Sequence, residues 1–84
     1  MTTKSFTARV TVTLKTGVLD PQGQAIEGSL DSLGFKGVEK IRQGKIFDVK
    51  LQSASKEDAE KSVADMCEKL LANTVIENYK VEIA

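Results

Sequence analysis

The 84-residue chain contains no histidine and no tryptophan. Without imidazole it lacks the usual general base, the Ser–His and Cys–His nucleophile pairs and the commonest nitrogen ligand for metals. A single cysteine, Cys67, cannot build a thiolate zinc site, and its isolation fits a reducing compartment. Aromatic residues stop at Phe6, Phe35, Phe47 and Tyr79. Charge of either sign is not in excess: 12 basic residues balance 12 acidic ones. That balance argues against an electrostatic binder of nucleic acid or membrane. No apolar run is long enough to span a bilayer. The residues after Met1 are polar and lack the apolar core of a signal peptide. Together these absences imply a cytoplasmic protein, in which lysines and carboxylates are the only catalytic groups left.

What remains is enough for one domain, residues 1–84, with a thin core that oligomerisation commonly supports at this size. The chain is organised around Leu14–Phe35, LKTGVLDPQGQAIEGSLDSLGF. Asp20 stands where a helix N-cap belongs, and Pro21 follows at the first helical position, where its missing N–H has no partner to lose. Ile26, Leu30 and Leu33 recur at helical spacing. Gly34 is placed to end the helix in a left-handed conformation, with Phe35 packing back on Leu30. Gly23 and Gly28 lie inside this helix, each at a cost of about 1 kcal/mol against alanine. Ala25, Gly28, Ser29 and Ser32 form a strip of small residues beside the apolar stripe, a seat for close packing within the chain or against a partner.

Before that helix, Thr3–Leu14 alternates strictly: Phe6, Ala8, Val10, Val12 and Leu14 on one face, Thr7, Arg9, Thr11 and Thr13 on the other. This is a half-buried strand, followed by a loop with Gly17 as its flexible point. After the helix, Val38–Arg42 and Lys45–Gln52 read as a hairpin turning at Gln43–Gly44. In that register Val38 shares a face with Phe47, Val49 and Leu51, and Ile41 pairs with Ile46 on the opposite face. Ser55–Ala72 is a second helix, with Ser55 and Asp58 forming a capping-box-like start. Ala59, Val63, Met66, Cys67, Leu70 and Leu71 make its apolar face. Glu57 with Lys61 and Asp65 with Lys69 stand at i,i+4 in the favourable order. Asn73 suits a left-handed cap, and Val75–Ile83 is the last strand, with Tyr79, Val81 and Ile83 inward. The expected fold is α+β: a βαββαβ antiparallel sheet with two helices on one face, the ferredoxin-like order.

None of the short motifs is catalytic. Cys67 sits mid-helix on the apolar face, without the helix N-terminus or basic neighbour that activates a thiol. The glycines match neither a phosphate loop nor a dinucleotide fingerprint. The Asp20–Gly23 helix start could hold an anion, but the Asp20 carboxylate caps those amides and repels one. Arg42 and Lys45 place two cations at the hairpin tip, solvated or matched to a partner's carboxylate or phosphate. RNA-binding RRM domains share the element order, yet stack bases on outward aromatics, which are missing here. Acylphosphatases share it too, but need an arginine in the first loop, and Lys15–Gln22 contains none.

Three segments carry a resemblance: VTVTLKTGVLDPQG (Val10–Gly23), LGF followed by VEKIRQGK (Leu33–Lys45), and CEKLLANTVIENY (Cys67–Tyr79). They resemble the PurS family, the small subunit of phosphoribosylformylglycinamidine synthase, over nearly the whole chain. Thr74 departs from the proline expected after Asn73. The resemblance implies a non-catalytic subunit in de novo purine (IMP) synthesis, within an ATP-dependent glutamine amidotransferase complex. It implies PurL-type synthetase and PurQ-type glutaminase partners, a homodimer that could pair again into a tetramer, and a bridging role that helps ammonia pass between the partners. ATP and Mg would belong to the synthetase subunit, leaving no cofactor in this chain. The missing histidine agrees, since a Cys–His–Glu glutaminase centre cannot be built here. An amino-acid-binding, ACT-like regulatory domain and a minor enzyme using Lys15 or Asp20 are the open alternatives. Candidate partner-interface residues are Lys15, Asp20, Gln22, Ile41, Arg42, Lys45 and Ile46.

Overall fold

The computed structural model describes residues 3–84. The alternating N-terminal segment forms β1, Lys4–Leu14, whose side chains from Ala8, Val10 and Val12 are buried. Pro21–Ser32 is helix α1, Gly44–Ser53 is strand β2, Lys56–Met66 is helix α2 and Glu77–Ile83 is strand β3. The three strands form one antiparallel sheet in the order β2-β1-β3. Val10 faces Phe47 on one side and Val81 on the other, so inward residues of all three strands share a face. Helix α2 covers that face through Ala59 and Val63, and Cys67 directly after it extends the cover, each fully buried. The fully enclosed residues are small or β-branched, and Phe47, Val49, Leu51, Leu71, Tyr79, Val81 and Ile83 are only partly covered around them.

Local chemistry accounts for most element ends. The Asp20 side chain accepts a hydrogen bond from the Gly23 N–H at 2.9 Å and starts α1. At the other end the Phe35 N–H reaches the Leu30 carbonyl at 3.0 Å and the Gly34 N–H reaches Asp31 at 3.1 Å. With Gly34 at φ +94°, this is a Schellman stop at the expected residue. Ser55 caps α2 by accepting from the Asp58 N–H at 3.1 Å. Of the two i,i+4 pairs, Lys69–Asp65 closes at 2.9 Å and Glu57–Lys61 does not.

The α+β class and the antiparallel sheet with two helices are as expected, while four details differ. Val38–Arg42 is not a strand, and no hairpin forms at Gln43–Gly44. The polar groups of Arg42 and Gln43 are engaged by the first loop and the start of α1 instead, and β2 pairs with β1. The proposed Ile41–Ile46 pair is therefore absent: Ile41 is partly buried beside α1, whereas Ile46 lies 61% exposed next to Thr11. Second, only α2 lies on the sheet. Helix α1 projects away from it, and Ile26, Leu33, Phe35 and Val38 remain exposed. Third, α2 gives way at Cys67 to a wider π-helical turn, Cys67–Leu71, closed by the Ala72 N–H donating to the Cys67 carbonyl at 3.0 Å. Finally, Asn73 is not left-handed. Its side chain accepts from the Val75 N–H at 3.2 Å and its carbonyl from the Glu77 N–H at 2.7 Å, so it ends the helix as a polar turn.

Candidate functional site: a polar neck and an apolar arm

Two passages of irregular chain join α1 to the sheet: Lys15–Asp20 on the way out and residues 38–43 on the way back. They run side by side and are cross-linked by side chains. The Arg42 guanidinium donates to the Val18 carbonyl at 2.8 Å and to the Lys15 carbonyl at 3.1 Å. Asp20 uses both carboxylate oxygens, one for Gly23 and the other for the Gln43 N–H at 2.7 Å. The Gln43 side-chain amide donates to Gln22 at 2.7 Å. Asp20 is 7% exposed, and these amide bonds, first Gln43 and then Gly23, hold its carboxyl below the ordinary carboxylate range with help from Arg42.

Gly23 explains its own presence. A Cβ there would fall against the Ile41 carbonyl oxygen and lie 2.8 Å from the Asp20 carboxylate. This glycine inside the helix is the seat on which the returning chain rests; it lies outside the expected strip of Ala25, Gly28, Ser29 and Ser32, in which Gly28 has open space around it.

Five of the seven sequence candidates meet in this neck: Lys15 through its carbonyl, with Asp20, Gln22, Ile41 and Arg42. Lys45 stands just beyond it on the inner face of the sheet, 3.6 Å from a Glu77 side chain that is 12% exposed. Ile46 is apart, on the outer face, where Arg9 pairs with Asp48 at 3.0 Å and Thr11 lies between Ile46 and Lys80. That face is polar, and its single isoleucine does not make an apolar patch. Two open clefts flank the neck. One, of about 350 Å³, is lined by Asp20, Glu27, Glu39, Lys40 and Arg42; the other, of about 310 Å³, lies at the uncovered end of the sheet against Leu14, Val18, Leu19 and Ile76.

Gln43, a turn residue by its sequence, and the exposed arm both fall outside the candidates that the sequence offers. Ile26 at 40%, Leu33 at 73%, Phe35 at 59% and Val38 at 42% exposure are apolar side chains without a covering element. The helical spacing of Ile26, Leu30 and Leu33 is visible in the sequence, but the same spacing serves a helix packed on its own sheet. Cys67 is fully buried, and burial pushes its thiol above the usual range, away from the reactive thiolate. Among the described residues no three His, Cys, Asp or Glu side chains converge to hold a metal ion, and no helix is long and apolar enough to cross a membrane.

Residues 7–84 match the sequence profile of the family described as PurS: Phosphoribosylformylglycinamidine (FGAM) synthase. Among curated proteins the chain is 47% identical over 74 residues to the phosphoribosylformylglycinamidine synthase subunit PurS of Archaeoglobus fulgidus, covering 88% of this chain and 92% of that one. Among solved structures it is similar to Bacillus subtilis PurS, with a TM-score of 0.84, 43% identity and coverage of 94% and 98%. It is also similar to a chain of the Thermotoga maritima PurLQS structure, with a TM-score of 0.87, 34% identity and coverage of 96% and 99%.

Proposed function

Because the chain belongs to the PurS family and is thereby a subunit of phosphoribosylformylglycinamidine synthase in purine biosynthesis, we propose that it acts without chemistry of its own, bridging the glutaminase and synthetase subunits so that ammonia passes from one to the other. The Thermotoga relative occurs in a structure of PurLQS, which supports a PurL-type synthetase and a PurQ-type glutaminase as the partners. ATP and its Mg belong in this reading to the synthetase, and the working place is the cytoplasm. The amino-acid-binding alternative is not favoured, since the relatives described above are PurS proteins.

One observation carries the bridging role: the arm. A chain of this length folded compactly has a radius of gyration of about 12 Å; here it is 16.9 Å, with extents of 58 × 25 × 15 Å. The extra length is a helix whose apolar side chains are uncovered. Apolar groups left in water at that density mark a surface made for another chain. The first occupant is a second copy, because matching arms supply the self-complementary patch a two-fold dimer needs. The neck residues Lys15, Asp20, Gln22, Ile41 and Arg42, with Lys45, then lie at the root of the arm, where the large subunits have access to both arm and sheet.

The test is reconstitution of the synthase with and without this chain, with turnover measured on glutamine and on high ammonium. Omission should abolish glutamine-dependent amidation and largely spare the ammonium-dependent reaction. Equal loss of both would place the chain inside the synthetase's own active site and overturn the bridging role.

A further inference from the structure

Helix α1 has no substantial contact with α2 or the strands. What joins it to the sheet is the neck, and the neck is held by polar bonds. Arg42 reaches from the returning passage to the outgoing one, onto the Val18 and Lys15 carbonyls. Asp20 reaches the other way, from the outgoing passage to the Gln43 N–H. Gln43 then donates to Gln22 in the first turn of α1. The Lys15 N–H donates to the Ile76 carbonyl at 2.8 Å, which anchors the outgoing passage to the chain entering β3. Gly23 lets the two passages touch, since any side chain there would meet the Ile41 carbonyl.

The geometry points to a hinge lock: Asp20 and Arg42 together hold the arm at one angle to the sheet, and opening them releases the arm as a unit while the α2–sheet core stays folded. The reciprocity of the two residues is the basis. Each sits on one passage and bonds to the other, so neither bond survives separation of the passages. The core around Val10, Val63 and Cys67 contains none of these groups. A subunit that spans two partners needs its ends at a fixed separation, and in this chain that separation is set by polar bonds between loops. Such bonds open at lower free energy than a packed core.

The telling variant is Arg42→Ala, because Arg42 bonds only to carbonyls and does not touch the Gln43 amide used as the reporter. In native-state hydrogen exchange on the full chain, Arg42→Ala should speed exchange of the Gln43 amide, whose bond to Asp20 crosses between the passages, by roughly tenfold or more, the size expected for loss of charge-assisted hydrogen bonds. The Val10 and Val63 amides should stay within about twofold. Arg42→Lys, which keeps the charge and loses the fork, should fall between the two. A pair of spin labels at Ser32→Cys and Lys50→Cys, on a small fraction of chains diluted into unlabelled protein so that only distances within one protomer are read, should show a single narrow distance in the parent and a broadened one in Arg42→Ala. Unchanged Gln43 exchange, an unchanged distance distribution, or equal acceleration of the core amides would each overturn the lock.

Discussion

Asp20 shows how much one side chain decides. It caps α1, holds the returning chain and faces Arg42, all from a nearly buried position. Its folded pKa lies below the ordinary value, so its contribution is fully present above the unfolded carboxylate range, near about 4. It is lost as pH falls below that range and through the lower folded value. Glu27, Glu39 and Lys40 line the cleft beside it and add to the charge there. The parent should therefore lose neck protection in acid more steeply than Asp20→Asn, as read by hydrogen exchange at Gln43 across a pH series corrected for intrinsic rates. The two helical glycines offer a second check at this scale. Gly28→Ala meets nothing within 4 Å and should raise stability by up to about 1 kcal/mol. Gly23→Ala should lower it despite the same gain in helix propensity, because the new methyl displaces the Ile41 carbonyl. Thermal denaturation of both variants would show opposite signs.

At the scale of elements, the outcome separates local signals from those that depend on neighbours. The cap, the proline, the glycine stop and the alternation of β1 all lie within a few residues of what they control, and each forms where the sequence placed it. Gly34 adopts φ +94°, so Gly34→Ala should cost about 1–2 kcal/mol and fray the last turn of α1, measurable as lost helicity at 222 nm. Val38–Arg42 reads as a strand because Gln43–Gly44 offers a hairpin turn, while the groups that compete for Arg42 and Gln43 are distant: Asp20 and the Lys15 and Val18 carbonyls lie far back in the sequence. The candidate site was legible as residues, since Asp20, Gln22, Ile41 and Arg42 do meet. It was not legible as an arrangement, because a helix stripe of Ile26, Leu30 and Leu33 is identical whether it faces its own sheet or another chain. Cys67 and Val63 were legible as core for the plainer reason that α2 has a sheet to cover. Val63→Ala should cost about 2–3 kcal/mol in denaturant unfolding, the loss of two buried carbons and the cavity they leave.

The whole molecule is a small, thinly cored sheet-and-helix body with a long arm. Among the described residues its core encloses no large side chain completely, whereas its arm exposes several. For an isolated chain that distribution is unfavourable, and for a subunit it is what an assembly surface requires. The outer sheet face, with Arg9–Asp48 and Lys80–Glu82 pairs around Ile46, has the composition of a wetted surface. Assembly should accordingly fail when the arm is altered and survive when the sheet face is. Sedimentation velocity tests this most directly, comparing the parent with a Leu33→Asp/Phe35→Asp variant and with Ile46→Asp, each checked for an intact far-ultraviolet spectrum. The expected result is an oligomer for the parent and for Ile46→Asp, and a monomer for the arm variant. An oligomeric arm variant beside a monomeric Ile46→Asp would contradict it, and would put the contact on the sheet.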